Sequence, residues 1–156
     1  MSLIRGTPTL TANDSTAKHP LGTVWGYVDS TYGYRAYRYV RATGGAATVG
    51  QVATWNGSTG YGVGVAARGL APAGIFLGSV TSLYYCWVQV YGHCTDVRTN
   101  GSVTSATGLI CSAAKVAGPA LSGTALLGVV FGTACTTDSG SRLTSSQLYF
   151  PGCASV

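Results

Sequence analysis

Short apolar and aromatic segments alternate with turn-forming residues along most of the chain. Gly, Asn, Asp or Ser separates each segment from the next, and segments that recur at short, regular intervals are typical of a β-sandwich or barrel. We therefore expect an all-β fold: a single antiparallel β-sandwich or barrel-like domain. The predicted strands are 23–28, 34–41, 51–55, 61–67, 75–80, 83–91, 95–98, 109–113, 125–134 and 147–150.

Two segments depart from this pattern. Residues 70–74, with the sequence Leu-Ala-Pro-Ala-Gly, are predicted to form a loop, because proline cannot donate a hydrogen bond within a sheet. Residues 113–120 form the one stretch expected to coil for a helical turn, which Pro119 limits. Asn56-Gly57, between two predicted strands, indicates a hairpin.

The segment 83–92 predicts a central strand. Alternating positions of a strand point to opposite faces, and here both sets are largely apolar. We therefore expect this strand to be buried on both sides, with Gly92 at its end. Trp25, Trp55 and Trp87 are assigned to the core.

The N-terminal residues 1–19 differ from the rest of the chain. They are rich in Thr, Asn, Ser and Asp and have no apolar periodicity, and His19-Pro20 then sets an extended conformation. We predict an extended N-terminal arm over residues 1–19 and a β-rich body over residues 20–156. The arm is expected to dock on its own body or on a neighbouring chain, and a body without residues 1–18 is expected to stay folded.

Charge is scarce in this chain. Only 8% of the residues are charged and none is Glu, whereas about 25% is usual. Coiled coils and long solvated helices are excluded, because their outer faces require Glu and Lys. The net charge of +5 comes from scattered cations and few acids, so it suits docking on an acidic protein surface as well as on nucleic acid.

Candidate chemistry is limited. No nucleophile-elbow, zinc-protease or phosphate-loop motif occurs. His93, Cys94 and Asp96 resemble a thiol triad, but neighbours on a strand point to opposite faces, so His93 is poorly placed to activate Cys94. We therefore expect no enzyme activity, no cofactor and no metal site.

The five cysteines lie in the C-terminal half without a C-x-x-C pair. We expect them to be buried thiols of a reducing compartment, with a Cys135–Cys153 disulfide as the alternative.

The segment 32–41 combines Tyr and Arg on both faces of a predicted strand. Three interpretations are open: a protein interface, in which Tyr and Arg are enriched; a stacking platform for single-stranded nucleic acid; and a solvated strand whose Arg stems cover aromatic rings. Nucleic acid is the less favoured partner. The candidate capsid or subunit interface residues are Arg5, Arg35, Tyr37, Arg38, Tyr39 and Arg41.

Several short motifs carry a family resemblance. The run Cys86-Trp-Val-Gln-Val-Tyr-Gly92, which follows the strand 62–67, resembles small structural proteins of tailed bacteriophages. The stretches 19–24, 37–42 and 50–52 fit the same pattern. The chain is thus similar to capsid cement, or decoration, proteins over roughly residues 19–92.

That resemblance implies a β-rich subunit, often a homotrimer, that bridges neighbouring major capsid proteins on the outer surface of an icosahedral head. The N-terminus lacks the apolar stretch of a signal peptide, so we expect synthesis in the host cytoplasm and no membrane partner. The alternative functions are a single-stranded nucleic-acid-binding β-barrel and a carbohydrate-binding or adhesive tail module.

Overall fold

A computed structural model of the protein describes residues 6–57, 60–65 and 71–98 with their side chains, and the backbone of five further strands. Every regular element in these residues is a β-strand, so the all-β prediction is confirmed. The strands are β1 (Val24–Asp29), β2 (Gly33–Gly44), β3 (Val52–Trp55), β4 (Gly62–Val65), β5 (Pro72–Phe76), β6 (Tyr85–Cys94), β7 (Val97–Arg98), β8 (Leu109–Cys111), β9 (Ala117–Pro119), β10 (Val129–Phe131), β11 (Arg142–Leu143) and β12 (Ser146–Tyr149).

Five of these strands close into a barrel. Their order is β2-β4-β3-β5-β6, and β6 pairs again with β2. All neighbours run antiparallel except β2 and β4, which are parallel, because β3 lies between them in the chain and forms the expected hairpin with β4. The barrel-like prediction is therefore confirmed, and the barrel is mixed rather than wholly antiparallel.

Strands outside the barrel extend its sheet at two places. β1 pairs with the first half of β2, beyond the part of β2 that contacts β4. β12 pairs with the end of β6, and β10 pairs with β12. Among the described strands, β1 is the last one on its side of the sheet.

The barrel encloses one apolar core of β-branched and small side chains. Val40 on β2, Val52 on β3, Ile75 on β5 and Val88 on β6 are all fully buried there. Cys86 is also buried in this core as the sequence predicted, and burial raises the pKa of its thiol to about 12.

A second cluster, made of aromatic side chains, covers the face of β2 and β6 that points away from the barrel core. Tyr37 and Tyr39 of β2 and Trp87 of β6 are buried there, and the Tyr39 and Trp87 ring centroids lie 5.1 Å apart. Burial raises the pKa of Tyr37 and of Tyr39 to about 12. Since the core lies on the other face, β6 is buried on both sides along most of its length, as its sequence predicted.

The arm packs on this aromatic cluster. Asp14 exchanges two backbone hydrogen bonds with Tyr85 (2.9 and 2.8 Å), and its carboxylate accepts a hydrogen bond from the Tyr39 hydroxyl at 3.1 Å. Leu10 packs against the cluster, and the His19 ring lies 5.1 Å from that of Tyr39. From Leu10 onward, the arm is therefore part of the folded body of its own chain.

Three local predictions need correction. β5 begins at Pro72, inside the predicted loop 70–74, and Pro72 stands at the first position of the strand, where proline is tolerated. Residues 117–119 of the predicted helical turn pair with β8 as a strand. Trp25 and Trp55 are half-buried, whereas Trp87 is buried. The Cys135–Cys153 alternative lies outside the described residues.

Replacing Gly92 with Ala should destabilise the protein strongly. Gly92 has φ 88°, and a Cβ there would collide with the Tyr34 carbonyl oxygen. Gly33 also has a positive φ, 75°, but a Cβ there has open space. Gly33→Ala should cost about 1–2 kcal/mol for the backbone conformation alone, and Gly92→Ala at least about 2 kcal/mol more. Urea unfolding of both variants measures the difference, and equal losses would contradict this packing.

Deleting residues 1–18 should also destabilise the body. The deletion removes the packing of Leu10 on the aromatic cluster and the hydrogen bonds of Asp14 with Tyr39 and Tyr85. We expect a loss of about 3 kcal/mol in the free energy of unfolding. Deleting only residues 1–9 is the matched control, since it leaves those contacts in place. Equal thermal stabilities of the two truncated proteins would show that the arm does not support the body.

Candidate protein-interaction surface

The hairpin of β1 and β2 has one covered face and one open face. Trp25 and Tyr27 point to the covered face, where they pack against Tyr37. Val24 and Val28 point to the open face and are 52% and 75% exposed. Two apolar side chains this exposed on one face of a strand are unusual for a solvated strand, whose open face is normally polar.

Two tyrosines enlarge this open face. Tyr34 lies directly opposite Val28 in the register, and its hydroxyl reaches over Gly26, which has no Cβ to obstruct it. The Tyr34 and Tyr91 ring centroids are 5.8 Å apart, and the two side chains are 51% and 41% exposed. The open face is therefore aromatic at this end.

The same face continues to the mouth of the barrel. Arg38 is opposite Val24, and its guanidinium carbon lies 5.7 Å from the centre of the Trp55 ring. Tyr61, which is partly exposed, lies 6.1 Å from Trp55, edge to face. We call this surface the β1 strip. Its members are Val24, Val28, Tyr34, Arg38, Trp55, Tyr61 and Tyr91.

The composition of the β1 strip is that of an interface centre. Aromatic residues and Arg are enriched in such centres, while Lys, Glu and Asp are depleted. The strip has four aromatic rings, two valines and a single cation, and no acid. An exposed patch of this kind marks a binding surface more often than a solvated one.

A separate network fixes the turn between β1 and β2. The Asp29 carboxylate accepts hydrogen bonds from the backbone of Thr31 and Tyr32 at 2.9 and 3.0 Å and forms an ion pair with Arg35 at 3.3 Å. These partners hold the pKa of Asp29 below its ordinary value. Arg35 also lies 4.7 Å from the Tyr32 ring, which stacks on His93 at 4.2 Å. The network fixes the hairpin against β6.

The structure does not bring the interface residues predicted from sequence together on one surface. Arg35 holds the hairpin turn, and Arg41 donates from Nε to the Leu83 carbonyl oxygen at 3.0 Å. Tyr37 and Tyr39 are covered by their own chain, so neither ring can reach a partner in this conformation. Arg38 is the one predicted residue on the β1 strip, and Arg5 lies outside the described residues.

The remaining strip residues escaped the sequence-based prediction. The candidates in segment 32–41 were taken from both faces of the predicted strand, because both faces combine Tyr and Arg, and of these candidates Arg38 alone shares the open face with Tyr34. The signal that could have found the strip is Val-x-Gly-x-Val in β1, because glycine between two valines leaves that face flat and open.

The suspected thiol triad does not assemble around a reactive cysteine. Cys94 is buried and burial raises the pKa of its thiol to about 11, whereas His93 is stacked on Tyr32 at the outer side of β6. Among the described residues, no group of three His, Cys, Asp or Glu side chains is placed to hold a metal ion. No helix in the described part of the chain is long and apolar enough to span a membrane.

In comparisons with known proteins, no protein-family profile and no curated protein matches this chain.

Lowering the pH should destabilise the wild-type protein partly through His93. Burial and the Arg35 cation lower the pKa of His93 below 6.5, while Asp29 opposes them. The unfolded chain therefore takes up this proton first, so stability is complete above about pH 6.5 and falls as the pH drops towards the folded-state pKa. His93→Phe keeps a ring for Tyr32 and should lose less stability between about pH 7 and pH 5. Denaturant unfolding at several pH values tests this, and equal slopes for the two proteins would refute it.

Proposed function

We propose that this chain is a non-enzymatic structural virion protein that docks on the outer surface of an icosahedral phage head and cements neighbouring major capsid proteins. The observation that carries the proposal is the β1 strip, an exposed apolar and aromatic surface with one cation. Such a surface fits a protein partner, because its rings are rigid and lose little entropy on binding.

Two further features support a docking subunit. The chain has very little surface charge for a free monomer, so an assembled state accounts for its composition. The motif resemblance to decoration proteins covers residues 19–92, and every residue of the β1 strip lies within that range. Many copies on one shell would multiply modest contacts through multivalency.

A single-stranded nucleic-acid binder is the second candidate. Exposed tyrosines beside an arginine are the parts of a base-stacking platform, and Tyr34, Tyr91 and Arg38 supply them here. Among the described residues, however, the cations around this surface are few. Arg35 is committed to Asp29 and Arg41 to the Leu83 carbonyl, so little charge is left to follow a phosphate backbone.

The function is tested on the β1 strip itself. Tyr34→Ser with Tyr91→Ser should abolish most binding to expanded, undecorated heads of the phage that carries the sequence, measured by co-sedimentation. Leu83→Ser is the matched control, since Leu83 is 54% exposed but lies in the turn before β6, outside the β1 strip. Undiminished occupancy by the double variant would contradict the assignment of the strip.

Two parallel assays separate the alternatives. Gel shifts with single-stranded DNA at low and high salt would reveal a binder whose affinity falls steeply with salt, and a glycan array would reveal a carbohydrate module. Binding in either assay without binding to heads would replace the capsid proposal.

A further inference from the structure

β1 has an edge to which no strand of the described sheet is hydrogen-bonded. The Tyr39 amide donates to the Thr23 carbonyl oxygen at 2.9 Å, and hydrogen-bonded pairs alternate along an antiparallel ladder. The backbone of Trp25 and Tyr27 therefore points to β2, whereas the N–H and C=O groups of Val24, Gly26 and Val28 point to the open edge. These three residues are also the exposed ones of the strand.

This edge has none of the usual protection against another strand. Sheet edges in natural proteins carry Lys, Pro, an inward charge or a bulge. Residues 23–28 contain no charged residue and no proline, and β1 pairs with β2 without a register shift. A regular, uncharged edge of this kind is a template for pairing with a further strand.

The sequence of β1 is close to a palindrome about Gly26: Val-Trp-Gly-Tyr-Val. We propose that β1 pairs antiparallel with β1 of a second copy of this chain, around a twofold axis at Gly26. Val24 then lies opposite Val28 of the second copy, and Trp25 lies opposite its Tyr27. Pairs of β-branched residues and pairs of aromatic residues are the favourable cross-strand pairs.

The hydrogen-bond geometry agrees with this register. In this register, Val24, Gly26 and Val28 lie opposite Val28, Gly26 and Val24 of the second copy. The outward-pointing N–H and C=O groups of the two strands therefore meet along the whole strand. A shift by one residue would set outward groups against inward ones, and larger shifts would shorten the overlap. At the axis, two Gly26 residues leave space into which each copy already places its Tyr34 ring.

Charge is also compatible with the pairing. No two like charges are brought opposite each other, because residues 23–28 are neutral. In this register Asp29 of each strand lies opposite Thr23 of the other copy, which is neutral. The two β1 strips would become one continuous surface across the axis.

The assembly is tested with the purified full-length chain, without any capsid, so its failure is distinct from failure of the proposed function. Sedimentation equilibrium should give a concentration-dependent mass that reaches twice the chain mass of 15.9 kDa. A mass that stays at one chain would overturn the proposal, and so would the three-chain mass that the decoration-protein resemblance implies.

A charge placed on the edge should break the dimer. Val28→Lys sets a lysine beside Val24 of the second copy and should weaken dimerisation at least about tenfold. Leu83→Lys adds the same charge on an exposed turn away from β1 and should leave dimerisation unchanged. Circular dichroism confirms that both variants are folded. Equal dimerisation by both variants would overturn the proposal.

A disulfide test fixes the register. In one strand, residues 24 and 28 are about 13 Å apart, too far for a disulfide within a chain. In the proposed dimer, the same two positions face each other across the edge. The double variant Val24→Cys with Val28→Cys should therefore give an interchain 24–28 disulfide, identified by peptide mass spectrometry, and neither single variant should crosslink through its new cysteine. A 24–24 or 28–28 disulfide, or no crosslink at all, would overturn the register.

Discussion

The pairing of β2 with β6 is the contact on which the rest of the structure depends. It closes the barrel, and both strands are buried on both faces along most of the segment in which they pair. Val40 and Val88 pack inside the barrel, while Tyr39 and Trp87 pack outside it. Because burial of apolar area is the main favourable term in folding, a strand pair that buries two faces stabilises two layers at once. The arm is the outer layer, and its Asp14 carboxylate and backbone satisfy polar groups of Tyr39 and Tyr85 that the aromatic cluster alone would leave without partners.

The arrangement also decides what the few charged residues do. Arg35 and Arg41 stand near opposite ends of the segment of β2 that pairs with β6, and each holds a turn: Arg35 through Asp29 and Arg41 through the Leu83 carbonyl. Leu83 has φ 70°, an uncommon conformation for a branched side chain, so the contact from Arg41 supports a strained turn. In a protein with so little charge, these guanidinium groups act first as structural parts, and of the three arginines of β2 only Arg38 lies on the β1 strip.

The sequence predicted the strands well because period-two alternation and turn residues are local signals. It also predicted that β6 is buried on both faces, since neither of its faces is polar. It could not show which face of β2 is covered, because that depends on the arm, which is distant in sequence and has no periodicity of its own. Tyr37 and Tyr39 were accordingly assigned to an interface, although the protein's own residues cover them. The parallel β2–β4 pair was missed for a related reason: strands that are not joined by a hairpin leave no local mark of their pairing.

The hairpin of β1 and β2 explains why binding character is concentrated where it is. β2 continues beyond its pairing with β6, and on its covered face the hairpin of β1 and β2 packs against the aromatic cluster. A two-stranded ribbon is marginal by itself, and Trp25 and Tyr27 give it the packing that it needs on that side. On the opposite face Tyr34 and Tyr91 contact each other, but these two rings and the side chains of Val24 and Val28 remain 41% to 75% exposed in a single copy. Stability of the single chain therefore accounts for Trp25 and Tyr27, and a covered state of the β1 strip accounts for the apolar and aromatic character of the other four residues.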